Sequence, residues 1–130
     1  MSSKVTLYQV PVPSTEFATE AVLCGDVIRF GYFENDSEFK GGIRFNRVRA
    51  LRKRAESLCT VWHVEGAYDT LVEVKNSPWI QELQADITDK QNTGLQWAMN
   101  HYMIYLDSVG CFEFVAESWE ALPGEPGAWT

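Results

Sequence analysis

The sequence predicts an α+β fold: a mainly antiparallel sheet of about six to seven strands with one or two short helices. Three observations lead to this class. Short segments of alternating apolar and polar residues recur between turn-forming residues, and only one segment has clear helical periodicity. Apolar residues make up 45% of the 130-residue chain, enough for one hydrophobic core. We therefore predict one domain over residues 1–122 and a flexible, Pro- and Gly-rich C-terminal tail over residues 123–130.

The N-terminal part of the chain is typical of strands. Residues 4–10 alternate and end at a Pro-Val-Pro break, which predicts a short strand. Residues 21–33 are rich in β-branched and aromatic residues, and Gly25 and Gly31 interrupt them. We expect either one long or bulged strand there, or a hairpin. Residues 34–37, Glu-Asn-Asp-Ser, are typical of the turn that follows.

Residues 42–58 are compatible with two structures. Ile43 and Phe45 alternate with Arg44, as in a strand. Helical spacing is found instead at Val48, Leu51, Ala55 and Leu58. We favour the strand because arginines continue to alternate with apolar residues and because another alternating segment follows directly.

The middle of the chain predicts two strands and then a helix. Residues 59–64 and 68–74 both alternate and are separated by Glu-Gly-Ala, which favours two strands with a tight turn. Ser77 is a typical helix N-cap and Pro78 fits the first helical position. Apolar residues then follow at helical spacing: Ile80, Leu83 and Ile87. The polar stretch 88–94 is expected to end this helix.

The last predicted element is a β-hairpin. Residues 96–106 and 111–116 alternate or are continuously apolar, and the Asp-Ser-Val-Gly sequence at 107–110 is typical of a turn. Of the tryptophans, Trp62 and Trp79 are expected in the core, because aromatic residues mostly fill cores.

The cysteines indicate a reducing compartment. Cys24, Cys59 and Cys111 are odd in number and widely spaced, so we predict buried free thiols instead of disulfides. No basic segment followed by an apolar run opens the chain, and no stretch approaches the about 18 apolar residues of a membrane span. We therefore expect a cytoplasmic protein that does not enter membranes.

Charge is unevenly distributed along the chain, whose net charge is −7. Seven of the eleven basic residues lie close together: Lys40, Arg44, Arg47, Arg49, Arg52, Lys53 and Arg54. We expect them to pair with carboxylates on neighbouring strands and not with nucleic acid, because the chain is acidic overall. From residue 55 onward twelve acids face two lysines, a balance of −10. Such a surface favours a basic protein partner.

No catalytic motif is recognisable. His63 and His101 are the only histidines, and Cys59 and His63 would lie too far apart along one strand to form a nucleophile–base pair. We therefore predict that the protein is not an enzyme and that it has no catalytic residues and no cofactor. The alternative is a small-ligand-binding or weakly catalytic domain that uses His101 with Asp107 or Cys111 across the hairpin. Such a ligand pocket would be lined by Tyr68, Trp97 and Tyr102.

A metal site is also not expected. Zinc needs three or four converging ligands, and nothing in the sequence spacing requires the available candidates to converge. These candidates are His63, His101, Cys59, Cys111 and Glu65.

Three stretches carry a resemblance: GGIRF at 41–45, CTVWHV at 59–64 with AYDTLVEV at 67–74, and HYMIYLDSVGC at 101–111. They resemble a family of small acidic bacterial proteins that is similar to the immunity proteins of contact-dependent inhibition and polymorphic-toxin systems. The resemblance implies a stoichiometric inhibitor that binds a basic, nuclease-type toxin domain and occludes its active site. The resemblance does not indicate which oligomeric state the protein has.

The expected partner-binding residues combine carboxylates with one aromatic anchor. Carboxylates that mask a phosphate-binding cleft would lie where the nucleic acid otherwise lies, and Trp is frequent at binding hot spots. The predicted set is Glu65, Asp69, Glu73, Glu82, Asp86, Asp89 and Trp97.

Overall fold

A computed structural model describes residues 2–10, 20–34, 37–91, 98–107 and 109–126. Within these residues the chain forms nine strands, two α-helices and one short 3-10 helix. The strands are β1 (Ser3–Gln9), β2 (Glu20–Cys24), β3 (Val27–Glu34), β4 (Ser37–Asn46), β5 (Ala50–Ala55), β6 (Thr70–Lys75), β7 (Asn100–Leu106), β8 (Gly110–Ala116) and β9 (Ser118–Pro126). The helices are α1 (Val61–Val64) and α2 (Pro78–Gln91), and the 3-10 helix is Glu56–Leu58.

The strands form two antiparallel sheets. The five-stranded sheet has the order β1-β6-β7-β8-β5, and the four-stranded sheet has the order β2-β3-β4-β9. Every neighbouring pair in both sheets is antiparallel. The predicted α+β class with mainly antiparallel strands and two short helices is confirmed, although nine strands exceed the expected six to seven.

The main core lies between the two sheets. Side chains alternate along a strand, so Tyr102, Ile104 and Leu106 of β7 point to one face and join this core. Phe45 of β4 stacks on Phe114 of β8 with ring centroids 3.9 Å apart. These contacts hold the four-stranded sheet against one face of the five-stranded sheet.

The opposite face of the five-stranded sheet, called the outer face below, is covered by residues 56–69 and by α2. A smaller core forms there, where Ala67 and Val64 pack on Val72, Met103 and Cys111. On β7 and β8 the side chains between the main-core residues also point to this face. The outer face therefore receives the polar residues of these two strands beneath a layer of helices and turns.

The strand expected over residues 59–64 is wrong. Residues 61–64 form α1, whose entry is stabilised by hydrogen bonds between Thr60 and the His63 ring. The Thr60 N–H donates to His63 Nδ1 over 3.0 Å. An alternating six-residue segment is short enough for such local hydrogen bonds to decide its conformation. The companion strand at 68–74 is shorter than expected and begins at Thr70.

Two open alternatives are now decided. Residues 21–33 form the β2–β3 hairpin, which turns at Gly25 with φ +64°. Residues 42–58 contain mostly strand, as favoured. They are divided between β4 and β5, and the break between these two strands contains Arg47, which adopts φ +54°. The predicted helix begins at Pro78 as expected and ends at Gln91, within the polar stretch 88–94 that was expected to end it.

The C-terminal strand β9 was not predicted. Residues 123–126, expected in a tail without regular structure, form its end and pair with β4. Proline lacks an N–H group, and β9 tolerates Pro123 and Pro126 because it is an edge strand. Residues 127–130 lie outside the described structure.

The β7–β8 hairpin is confirmed, with Leu106 paired to Gly110 and Gly110 at φ +131°. Its first strand begins at Asn100, later than the expected residue 96, and residues 96–97 lie outside the described structure. Ser108 of its turn lies outside the described structure. None of the helices in the described residues is long and apolar enough to cross a membrane.

The cysteines are free, but they are not all buried as expected. Cys111 is buried, Cys59 is half-buried, and Cys24 is exposed because it ends β2 beside the turn of the hairpin. Burial raises the pKa of the Cys111 thiol to about 12, which keeps it protonated and unreactive near neutral pH.

Candidate functional site

On the outer face of the β7–β8 hairpin the buried carboxylate of Glu113 forms an ion pair with Arg52 and a hydrogen bond with His101. His101 of β7 and Glu113 of β8 are both buried, and His101 Nε2 lies 2.8 Å from Glu113 Oε1. Arg52 of β5 is the direct cross-strand partner of Glu113. Its Nε donates to Glu113 Oε2 over 2.8 Å and its Nη2 to Oε1 over 3.1 Å. Both carboxylate oxygens are therefore bound, in a bidentate geometry that strengthens the pair.

Ser77 connects this ion pair to α2. Its Oγ lies 2.7 Å from His101 Nδ1 and accepts a hydrogen bond from the Ile80 N–H over 3.2 Å. The second bond is that of a helix N-cap, which confirms the cap expected at Ser77. One hydroxyl thus caps α2 and fixes the helix to the sheet through His101.

Electrostatics make Glu113 the charged centre of this network. Burial alone would raise the pKa of the Glu113 carboxyl, but hydrogen bonds from His101 and Arg52 outweigh burial and lower it to about 2. The ionised carboxylate accepts from His101 Nε2. In the neutral imidazole, Nδ1 is then the acceptor of the Ser77 hydroxyl proton.

Ser77, His101 and Glu113 follow the Ser–His–carboxylate order of a hydrolase triad, but serine binds Nδ1 and the carboxylate binds Nε2, the reverse of the triad. Their surroundings also favour a structural role. Ser77 is only 5% exposed, and its oxygen already accepts the Ile80 N–H. The next residue is Pro78, which has no N–H to contribute to an oxyanion hole. The network therefore fits the attachment of α2 better than nucleophilic attack.

A cleft of about 480 Å³ opens above this network. Its base contains Val74, His101 and Glu113 from the outer face, and Arg52 lies beside them. Its sides come from the two helices: Trp62 of α1, and Pro78, Trp79 and Glu82 of α2. The volume falls within the range of about 300–1,000 Å³ that is usual for ligand sites.

Two tryptophans line the cleft, and each holds a cation of the protein itself. The Arg52 guanidinium carbon lies 4.0 Å from the Trp79 ring centroid, and Lys4 Nζ lies 4.2 Å from that of Trp62. Lys4 also donates to the backbone carbonyls of Trp62 and Glu65. Burial lowers the pKa of Lys4. The core position expected for Trp62 is wrong, because this side chain is 41% exposed.

Beside the cleft, α1 and the end of the preceding 3-10 helix expose apolar side chains. Leu58 is 65% exposed and Val61 is 74% exposed. Together with Trp62 they form what we call the α1 surface. Two further hollows of the described surface, about 300 and 520 Å³ in volume, border α1. Contiguous exposed apolar side chains of this kind are typical of interaction sites.

The predicted partner-binding residues do not form one surface. Glu65, Glu82 and Asp86 are exposed on the helical side of the molecule. Glu73 follows Leu71 by two residues on β6 and therefore points to the opposite face, where it pairs with Lys75. Asp69 is buried with φ +47°, so it is not available to a partner in this structure. Trp97 and the Asp89 side chain lie outside the described part of the chain.

The pairing of His101 with Asp107 or Cys111, on which the alternative function depends, is not formed. Asp107 accepts a hydrogen bond from the Tyr68 hydroxyl, while both ring nitrogens of His101 are bound to Ser77 and Glu113. The alternative ligand pocket is also wrong as predicted. Tyr102 is buried between the sheets, whereas Tyr68 is exposed on the outer face, where it stacks on Tyr105.

The metal-ligand candidates do not converge. Among the described residues no group of three or more His, Cys, Asp or Glu side chains could hold a metal ion. His63 is bound to Thr60, and burial lowers its pKa.

The basic cluster behaves largely as expected. Arg44 pairs with Glu120 and Arg47 with Glu117, while Arg52 binds Glu113. The carboxylates come from β8, β9 and the residue between them, which lie beside β5 and β4. The prediction that these arginines pair with carboxylates of neighbouring strands is confirmed for these three.

Sequence reasoning missed Glu113, and a signal for it existed. In a hairpin that turns at residues 107–110, alternation places Glu113 on the same face as His101, two residues out of register. Arg52 had no such signal, because it lies 61 residues from Glu113 along the chain.

The chain matches no family model, no curated protein and no solved structure.

Proposed function

We propose that this protein is a non-enzymatic protein-binding module that binds a basic protein domain through the α1 surface. The most specific form of this function is the one that the resemblance to immunity proteins implies. In that form the protein covers the active site of a nuclease-type toxin domain and neutralises it.

The observation that carries the proposal is the exposure of Leu58, Val61 and Trp62 within five consecutive residues. Burying such side chains against a partner removes apolar area from water, at about 25 cal/mol per Å². Trp is also among the residues that most often dominate binding energy. The two hollows that border α1 provide space for side chains of the partner.

Charge supports a basic partner. Glu56, Glu65, Glu82 and Asp86 are exposed in or beside the helices that cover the outer face. The whole chain carries −7. A net negative charge steers positively charged proteins towards the molecule and repels nucleic acid.

Co-expression with the basic domains encoded by neighbouring genes tests this function. A partner should form a one-to-one complex, lose its toxicity, and associate more slowly as salt screens the charges. Val61→Asp should disrupt the complex, whereas Val22→Asp, which alters an exposed valine of the four-stranded sheet, should not. The proposal fails if no neighbouring product binds the protein or becomes harmless.

The cleft favours a second candidate, a small-ligand-binding module, because its volume and aromatic sides suit an organic molecule. Native mass spectrometry of the protein purified from its own organism discriminates the two functions. A small molecule retained by the protein supports the second candidate, and a one-to-one protein complex supports the first.

A further inference from the structure

We propose that the cleft between Trp62 and Trp79 receives an arginine or lysine side chain of the partner, and that Glu82 pairs with this cation. This inference rests on the proposed function and adds to it the chemical group that the partner inserts. It is carried by three observations: the aromatic sides of the cleft, its charge, and its position next to the α1 surface.

The aromatic sides suit a cation. The π face of an indole attracts ammonium and guanidinium groups, and Trp is the most effective ring for this contact. Both tryptophans already hold a cation of the protein, Arg52 on Trp79 and Lys4 on Trp62. In the described surface Lys4 lines the neighbouring hollow of about 300 Å³, whereas Arg52 lines the cleft itself, so of these two cations only Arg52 lies in the cleft.

The charge of the cleft also suits a cation. Three charged side chains line it: Arg52, Glu113 and Glu82. Arg52 and Glu113 neutralise each other through two hydrogen bonds. Glu82 is exposed on α2 and forms no ion pair within the described part of the chain. One negative charge is therefore left over, and it lies at the side of an aromatic cleft.

The position of the cleft joins it to the α1 surface. Trp62 belongs to both, since it lines the cleft and is exposed beside Val61. A partner that covers the α1 surface therefore passes the opening of the cleft. A long basic side chain reaches into it while its aliphatic part packs on the tryptophan rings.

The first test uses N-acetyl-arginine amide as a probe and its neutral counterpart, N-acetyl-citrulline amide, as the control. The indole N–H signals of Trp62 and Trp79 should shift saturably in NMR spectra of the full chain, and that of Trp119 in the four-stranded sheet should not. The citrulline probe should bind about tenfold more weakly, because it keeps the shape and loses the charge.

Glu82→Gln and Asp86→Asn form the matched pair of variants. Both remove one carboxylate from the exposed side of α2, but only Glu82 lines the cleft. Glu82→Gln should weaken binding of the arginine probe about two- to fivefold, and Asp86→Asn should leave it unchanged. The inference is overturned if the citrulline probe binds equally well, if the two tryptophan signals do not shift, or if N-acetyl-glutamate amide is the probe that binds.

The same variants separate this inference from the proposed function. A partner complex that Glu82→Gln weakens and Asp86→Asn does not supports both. If a one-to-one complex forms and Glu82→Gln leaves it intact, the proposed function stands and the inference is wrong. If the arginine probe binds in the cleft but no basic protein binds the chain, the cation that the cleft binds does not come from a protein partner.

Discussion

Replacing Glu113 by Gln tests whether the buried ion pair stabilises the fold. Glutamine keeps the shape of the side chain but offers one oxygen and one NH₂ group. Arg52 and His101 donate to both oxygens of the native carboxylate, so at least one of these contacts becomes a contact between two donors. We expect a folded but clearly destabilised protein.

The expected loss follows from the pKa of Glu113. Hydrogen bonds lower this pKa from the ordinary 4.5 to about 2 in spite of burial. Because each tenfold change in proton affinity corresponds to about 1.4 kcal/mol, the ionised carboxylate contributes about 3 kcal/mol at neutral pH. Glu113→Gln should lower the free energy of unfolding by a similar amount.

The pH dependence of this difference is a second, independent readout. A lowered pKa stabilises the fold fully above the unfolded-state value of 4.5, and the contribution is lost as the pH falls towards 2. Urea unfolding, followed by far-ultraviolet circular dichroism, should therefore give a constant difference between wild type and Glu113→Gln down to about pH 5. The difference should then shrink as the pH falls further, because titrating groups that do not contact Glu113 affect both proteins equally.

Glu120→Gln is the control. Glu120 lies 3.6 Å from Arg44, and both side chains are about half exposed, so its loss should cost less than about 1 kcal/mol. The reasoning is refuted if Glu113→Gln costs no more than Glu120→Gln near neutral pH. It is also refuted if the Glu113→Gln difference does not change between about pH 5 and about pH 2.

Three further substitutions are checked by the same urea unfolding. Ser77→Ala removes the cap of α2 and leaves His101 Nδ1 without its partner, so we expect a loss of about 2 kcal/mol. Phe45→Ala opens a cavity between the sheets and should cost about 3–5 kcal/mol. Gly42→Ala would place a Cβ 2.3 Å from the Ile28 carbonyl oxygen and should cost about 2 kcal/mol. A loss below about 0.5 kcal/mol in any of them would contradict the packing given for that residue.

Two locally encoded elements were predicted well from the sequence. The β7–β8 hairpin and the start of α2 depend on neighbouring residues: a turn that ends at Gly110, and a cap at Ser77 followed by Pro78. β9 was missed, because its prolines are compatible with a strand only at the edge of a sheet, and an edge position is a property of the assembled sheet.

The candidate site was predicted only in part. Glu65, Glu82 and Asp86 are exposed on the helical side as a partner-binding role requires, but Asp69 is buried and Glu73 lies on the opposite face. Acidic composition predicts the sign of the surface charge, because most carboxylates remain exposed to water. It does not predict which face each carboxylate occupies, because that depends on strand register and on the path of the connecting segments.

The sequence by itself determined the class of the fold, the hairpin, the helix cap and the acidic surface, since each depends on composition or on residues within a few positions of one another. Only the tertiary structure decided that Arg52 meets Glu113, that His101 binds Ser77, and that α1 exposes Trp62 at the side of a cleft. The physical reason is that strand pairing over long sequence separations is set by how the whole chain buries its apolar faces. Local sequence periodicity does not indicate which distant strands pair.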